Sequence, residues 1–271
     1  MRGSSFKVLI WQLAVLLVAV GVWELVVALG YLNPFWASSP SFIAAALIDI
    51  VREPLFVKHV VTTLSELVAG FAIGAVLGIA IGFVLAEWSM AERVLAPYLA
   101  ALNSLPRVAL APLFILWLGI GLWSKIVMAA TLVVFIVISN TLAAARSVDS
   151  DMITVARLLG ARRGQLFVKV VLPASAPVVF AGLRLGVIYA MLGTVVGEMI
   201  AANSGLGYML SFYAGSFQVS HLMATLVILI ALSTALSGAT SWLERRLLAR
   251  ARRRTPSRAD VAPRLQTPAI E

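Results

Sequence analysis

The sequence predicts an all-α integral membrane protein with six transmembrane helices. Three observations predict it. Of 271 residues, 61% are hydrophobic and only 12% are charged, about half the ~25% charge of a soluble domain. Mean hydropathy is +1.00, which excludes intrinsic disorder, a coiled coil and an ordinary soluble enzyme. The apolar residues also gather in charge-poor runs, each close to the ~20 residues that cross a bilayer as a helix. Helices are expected because lipid cannot satisfy an open backbone, and the even period of a membrane β-barrel is absent.

The first span is about 8–30, behind Arg2 and Lys7. It is longer than the ~7–15-residue core of a signal peptide, and Ala28-Leu29-Gly30 is a weak cleavage site, so an uncleaved span is expected. The outer loop 31–61 begins Asn33-Pro34 and contains Ser39-Pro40-Ser41. A helical pattern from Phe42 to Val51 follows, expected to lie at the membrane interface as an amphipathic helix. Span 2 is Leu67–Ala86, between Glu66 and Glu87. Its Gly70, Gly74, Gly78 and Gly82 repeat G-x-x-x-G, which lets a neighbouring helix come close. Span 3, about 94–118, carries Pro97, Pro106 and Pro112 and is interrupted by Arg107, near Asn103 and Ser104. A broken helix needs protein or a water-filled cavity around its freed polar groups, so Asn103 and Arg107 are candidate translocation-pathway residues. Span 4 is Ile126–Ala145.

The inner loop 146–176 is patterned. Asp149, Ser150 and Asp151 form an N-cap cluster suited to the positive end of a helix. Met152, Val155, Ala156 and Leu159 follow at i, i+3, i+4 and i+7, one apolar stripe. Gly160 ends that helix, and Gln165–Leu172 starts another that Pro173 stops. A short amphipathic helix here suggests docking onto a soluble partner, with packing against the membrane surface as the alternative. Span 5, about 177–200, carries packing glycines at Gly182, Gly186, Gly193 and Gly197. Arg184, Val187, Met191, Thr194 and Glu198 form a second stripe, roughly 100–160° round from the glycines. That stripe can line a cavity, which makes Met191, Thr194 and Glu198 pathway candidates. Arg184 and Glu198 can instead snorkel to the two borders. Span 6 is about 221–243. The chain therefore reads as a single transmembrane domain, 1–249, with its core at 62–243, and a basic tail, 250–271, expected to be disordered.

Orientation follows from Lys and Arg. With the N-terminus inside, the inner segments hold sixteen and the outer loops three, so both termini are expected to be cytoplasmic. From Arg245 to Arg264 eight arginines face one acid, Asp260. Beside a lipid-soluble body such a run marks the cytoplasmic side, and no nucleic-acid partner is expected. There is no cysteine, no G-x-x-x-x-G-K-[ST], no H-E-x-x-H and no G-x-S-x-G, and the two histidines are His59 and His221. No catalytic, cofactor-binding or metal-ligating residue is therefore expected, and an intramembrane enzyme is disfavoured.

The inner loop resembles the cytoplasmic signature of the permease subunits of bacterial ABC importers, E-A-A-x3-G-x9-I-x-L-P. Ala156, Gly160, Leu172 and Pro173 match, while Thr154, Val155 and Val170 replace the acid, the first alanine and the isoleucine. Further stretches resemble the nitrate/sulfonate/taurine-type branch, in order over about 36–246. They are Ser39-Pro40-Ser41, 109–117, Gly119-Ile120-Gly121, Ser124-Lys125, 146–149, Gly182-Leu183-Arg184 and 204–208. Glu66 and Gly197-Glu198 look closer to relatives that import thiamine precursors or riboflavin.

The resemblance implies a type I ABC importer permease-like fold with a coupling-helix loop between helices 4 and 5. It implies a multi-pass protein of the bacterial inner membrane that is not itself an enzyme. The implied partners are a second copy of the permease, a cytoplasmic ABC ATPase dimer that binds ATP and Mg, and an extracytoplasmic substrate-binding protein. Loop 151–171 would couple to the ATPase, through Asp151, Met152, Val155, Ala156, Arg157, Leu159, Gly160, Arg162, Arg163, Leu172 and Pro173. The implied solute is a small oxyanion or a sulfonate-, nitrate- or taurine-like compound, or else a thiamine-precursor or riboflavin-like heterocycle. A membrane scaffold or sensor that recruits a cytoplasmic partner without transport is the competing reading.

Overall fold

The computed structural model describes residues 2–252, with side chains from Lys7 to Arg246 except Leu9. Among the described residues every regular element is helical. The elements are α1 (Arg2–Ala28), α2 (Pro34–Ala37), α3 (Pro40–Arg52), α4 (Phe56–Glu87), α5 (Ser89–Ser104), α6 (Ala111–Leu118) and α7 (Leu122–Arg146). Then come α8 (Ser150–Leu158), α9 (Arg163–Leu166), α10 (Leu172–Ile200), α11 (Leu206–Gly215) and α12 (Val219–Arg252). Five described helices are long and apolar enough to cross a membrane. The pair formed by α5 and Arg107–Leu118, bent by 81°, is a broken span or a re-entrant loop, and makes a sixth crossing in the first case. The bend has a local cause. Leu105 precedes Pro106 and is extended, at φ −67° and ψ 135°, because a proline ring crowds helical backbone in the residue before it. A 3₁₀ turn, Arg107–Leu110, then leads into α6, whose Pro112 sits in the first turn where no N–H is needed.

The chain folds as two compact units, and each boundary between them falls inside or at the end of a helix. The first holds the described chain up to Gly70, with Pro106–Ala129 and Ala190–Thr234. Part of its core is Ala111, Phe114 and Met128, packed with Val127 and Val196. The second holds Phe71–Leu105, Ala130–Tyr189 and the described chain from Ala235. Phe83, Ala144, Val171 and Val179 form a core there. In this unit α4 lies on α7 along the glycine repeat. A Cβ on Gly74 would stand 2.6 Å from Val133 Cβ, on Gly78 2.7 Å from Val137 Cβ, and on Gly82 2.6 Å from Thr141 Cβ. Gly182 of α10 meets Asn140 in the same way, at 2.5 Å. Gly186 is looser, 3.2 Å from Phe71, and in the first unit Gly197 stands 3.3 Å from Lys125. Gly70 and Gly193 are buried.

The helices depart from the sequence expectation at the start of α4, at Pro173, at α11 and in the tail. Helix α4 begins at Phe56 rather than Leu67, because Glu66 is neutralised inside the protein and does not bound the span. The expected stop at Pro173 does not occur, and one helical run extends from Arg163 to Ile200. A π turn, Phe167–Val171, precedes the proline, and Leu172 N–H reaches back to the Phe167 carbonyl. The wider turn relieves the clash a proline ring makes with the carbonyl four residues earlier. Helix α3 buries Ile43, Ala46 and Ile50 against the protein and leaves Phe42, Ile48 and Val51 exposed. Helix α11 lies where no helix is expected. Of the tail, Arg250–Arg252 continue α12, and 253–271 lie outside the described residues.

Candidate functional site

In the first unit α4 presents His59, Thr63 and Glu66 at i, i+4 and i+7, which places them on one helical face. All three are buried. Lys125 Nζ, from the first turn of α7, donates to Glu66 Oε1 at 2.8 Å, and the two side chains are 7% and 1% exposed. A charge without water is tolerated only when paired, so each needs the other. Glu66 Oε2 has no hydrogen-bond partner. Glu66, Lys125 and Thr62 line a 270 Å³ recess with the connections 120–122 and 201–204.

The same face of α4 caps α11. The first N–H groups of a helix have no partner within it, and here three successive groups find side chains. Gly205 N–H donates to His59 Nδ1 at 2.9 Å, Leu206 N–H to Thr63 Oγ1 at 2.8 Å, and Gly207 N–H to Glu198 Oε2 at 2.7 Å. Because His59 Nδ1 accepts, a neutral His59 carries its proton on Nε2. The Thr63 hydroxyl donates its one hydrogen to the Glu198 carboxylate, 2.8 Å from Oε1 and 3.1 Å from Oε2. Glu198 is 1% exposed and does not snorkel. Its carboxyl lies at the N-terminal end of α11. Gly205 has φ +116°, and a Cβ there would collide with the Glu198 carboxyl. The cluster is therefore a latch of charges and hydrogen bonds joining α4, α7, α10 and α11.

In the second unit the inner loop is built by local rules. Asp149 accepts from Asp151 N–H at 2.8 Å and caps α8. At the other end Gly160, at φ +79°, donates to the Arg157 carbonyl at 2.9 Å, and Ala161 donates to that of Ala156 at 3.0 Å. These two bonds form a Schellman motif, which favours glycine in the left-handed position. Between the caps Met152 and Val155 are 52% and 53% exposed, and Leu158 and Leu159 are each 82% exposed. Such an apolar patch on a small helix, in a segment outside the spans, marks an interaction surface. Ala156 is half-buried, and Asp151, Arg157, Arg162, Arg163, Leu172 and Pro173 are exposed. The structure thus gathers the predicted coupling residues into one loop held between α7 and α10.

The pathway candidates are distributed differently. Met191, Thr194 and Glu198 are buried in the first unit, where Thr194 Oγ1 has no hydrogen-bond partner. Arg107 is half-buried in the 3₁₀ turn, and Asn103 is exposed at the end of α5. Arg184 pairs with Glu244 of α12 in the second unit. The latch role of His59, Thr63, Glu66 and Lys125 is not predicted from the sequence. Its signal was the polar face of α4 ahead of an apolar run, together with a lysine at the head of another. No group of three or more potential metal ligands occurs among the described residues.

Likeness to known proteins gives these features a family. The chain is 34% identical to the riboflavin transport system permease protein RibX of Chloroflexus aurantiacus, over 83% of this chain and 84% of that protein. It is 35% identical to the formylaminopyrimidine transport permease protein ThiX of Halalkalibacterium halodurans, over 65% and 70%. It is 32% identical to a putative aliphatic sulfonates transport permease protein, SsuC of Bacillus subtilis, over 88% and 87%. Among solved structures, an inward-facing form of the MetNI methionine ABC transporter shares the fold, with a TM-score of 0.65 at 22% identity, covering 72% of this chain and 98% of that one. The fold is that of a type I ABC importer permease. A family model described as binding-protein-dependent transport system inner membrane component matches residues 74–252, and this chain belongs to that family.

Proposed function

We propose that the chain is the permease subunit of an ATP-driven importer, with two copies forming the solute pathway. The observation that carries this reading is α8, a helix capped at both ends that holds Met152, Val155, Leu158 and Leu159 out of the protein. Its apolar stripe suits a groove on a separate ATPase subunit, and that subunit would bind ATP and Mg. Asp151 and Arg162 add polar contacts, Arg157 and Arg163 line a recess within the second unit, and Ala156, Gly160, Leu172 and Pro173 shape the loop. Loop 146–176 and both termini face the cytoplasm, as the sixteen inner cations against three outer ones favour. An extracytoplasmic binding protein delivers solute to the opposite side.

ATP bound between two ATPase subunits favours one arrangement of them over another, and that difference biases the membrane helices through α8. Asn103 and Arg107, at the broken span, are the stronger pathway candidates. Met191, Thr194 and Glu198 are enclosed in the protomer and act by holding α10. Relatives of similar identity are named for riboflavin, formylaminopyrimidine and aliphatic sulfonates. A sulfonate or other small oxyanion and a nitrogen heterocycle are therefore the two solute classes to test.

The test is Gly160→Pro, with ATPase co-purification and solute uptake measured in membranes. A proline cannot adopt φ +79° and has no N–H for the Arg157 carbonyl. The variant should reach the membrane, lose the ATPase and stop uptake. Normal ATPase retention with normal uptake would overturn the reading. A wild-type chain that retains a cytoplasmic partner but drives no ATP-dependent uptake would favour the scaffold instead.

A further inference from the structure

Two recesses in the second unit share a wall. One, of 290 Å³, lies beside Arg157 of α8 and Arg163 of α9. The other, of 330 Å³, is formed by Phe83, Val84, Glu87, Trp88 and Phe167 and is apolar except for Glu87. Phe83, Glu87 and Phe167 line both, so a polar chamber runs into an apolar one. The rings of Phe83 and Phe167 meet edge to face at 5.1 Å between them. Phe167 also opens the π turn, a distortion frequent at functional sites.

We propose that this double recess binds one anionic phospholipid, its phosphate between Arg157 and Arg163 and an acyl chain along Phe83, Val84, Trp88 and Phe167. The charge fits. Two guanidinium groups face one carboxylate, Glu87, and among the described residues neither arginine is in an ion pair. The depth fits as well. The membrane-spanning stretch of α4 ends at Glu87, and Trp88 beyond it is 68% exposed. Tryptophan is enriched at headgroup level, and basic pockets at helix ends select anionic headgroups. The lipid would not compete with a partner on α8. Arg157 and Ile153 lie on the face that lines the recess, roughly 150° round the helix from Met152, Val155 and Leu159. Lipid binding requires only the membrane-spanning fold, so the chain is tested without any partner.

The full chain, stripped of lipid in neutral detergent, is offered equal phosphatidylglycerol and phosphatidylcholine, and bound lipid is counted by native mass spectrometry. Phosphatidylglycerol should be retained over phosphatidylcholine. Arg157→Gln with Arg163→Gln should weaken retention about fivefold for each arginine removed. Arg157→Lys with Arg163→Lys should keep it, which separates charge from misfolding. Trp88→Ala, at an exposed position, should also lower retention. Equal retention of the two lipids, or an unchanged glutamine double variant, would overturn the proposal. So would displacement of the lipid by millimolar inorganic phosphate with no effect of Trp88→Ala, because the site would then bind a free anion.

Discussion

Helix α4 meets α7 in two ways along its length. In the second unit Gly74, Gly78 and Gly82 bring its backbone onto Val133, Val137 and Thr141. In the first unit Glu66 meets Lys125 as a buried ion pair. Lipid tails are as apolar as leucine, so helices in a membrane are not driven together by the hydrophobic effect. One seam replaces that drive with close van der Waals contact and the other with charge. They fail differently. The glycine seam is sensitive to added volume, whereas the ion-pair seam is sensitive to an unmatched charge.

Substitutions that respect or violate this difference should fall in a definite order. Lys125→Met leaves Glu66 buried without its cation and should cost about 3–5 kcal/mol, read as a lower unfolding midpoint of the purified chain in detergent. Gly78→Val drives a side chain onto Val137 and the Val134 carbonyl and should cost about 1–3 kcal/mol by the same measurement. A midpoint unchanged by Gly78→Val would mean that the seam is not close-packed. Thr63→Val removes the hydroxyl that serves both Leu206 N–H and Glu198, at about 1–3 kcal/mol. Hydrogen exchange should quicken first at the start of α11. Gly160→Ala meets open space and pays only for left-handed backbone, about 1–2 kcal/mol, localised to exchange at the end of α8. Smallest of all, Glu66→Leu combined with Lys125→Met removes both charges and should lie close to wild type, since apolar replacement of a buried pair is often neutral. A double variant as damaged as Lys125→Met alone would show that the pair matters for more than its own neutralisation.

The two seams were not equally legible. The glycines announce themselves by a spacing of four, and the structure sets three of them against one neighbour. The α8 loop was legible too, since Asp149 and Gly160 cap the helix between them. The charged seam was hidden because its members are distant in sequence. Glu66 and Lys125 are 59 residues apart, and Thr63 and Glu198 are 135 apart. Treating charges as span boundaries therefore shortened α4. Treating Pro173 as a stop missed the π turn before it, and α11 went unseen because its cap lies on α4 and α10.

What the sequence by itself determined was local: the apolar helices, the break at Pro106, the glycine stripe, and the caps that start and end α8. Each depends on residues within a turn or two of one another, where backbone sterics and helical period decide the outcome. Tertiary structure alone decided which charges go inside. A buried Glu66 or Glu198 is prohibitive until Lys125, Thr63 or Gly207 is brought within hydrogen-bond distance, and only folding supplies those partners. The same holds for α3, whose Ile43, Ala46 and Ile50 join the core of the first unit only once the chain folds over them.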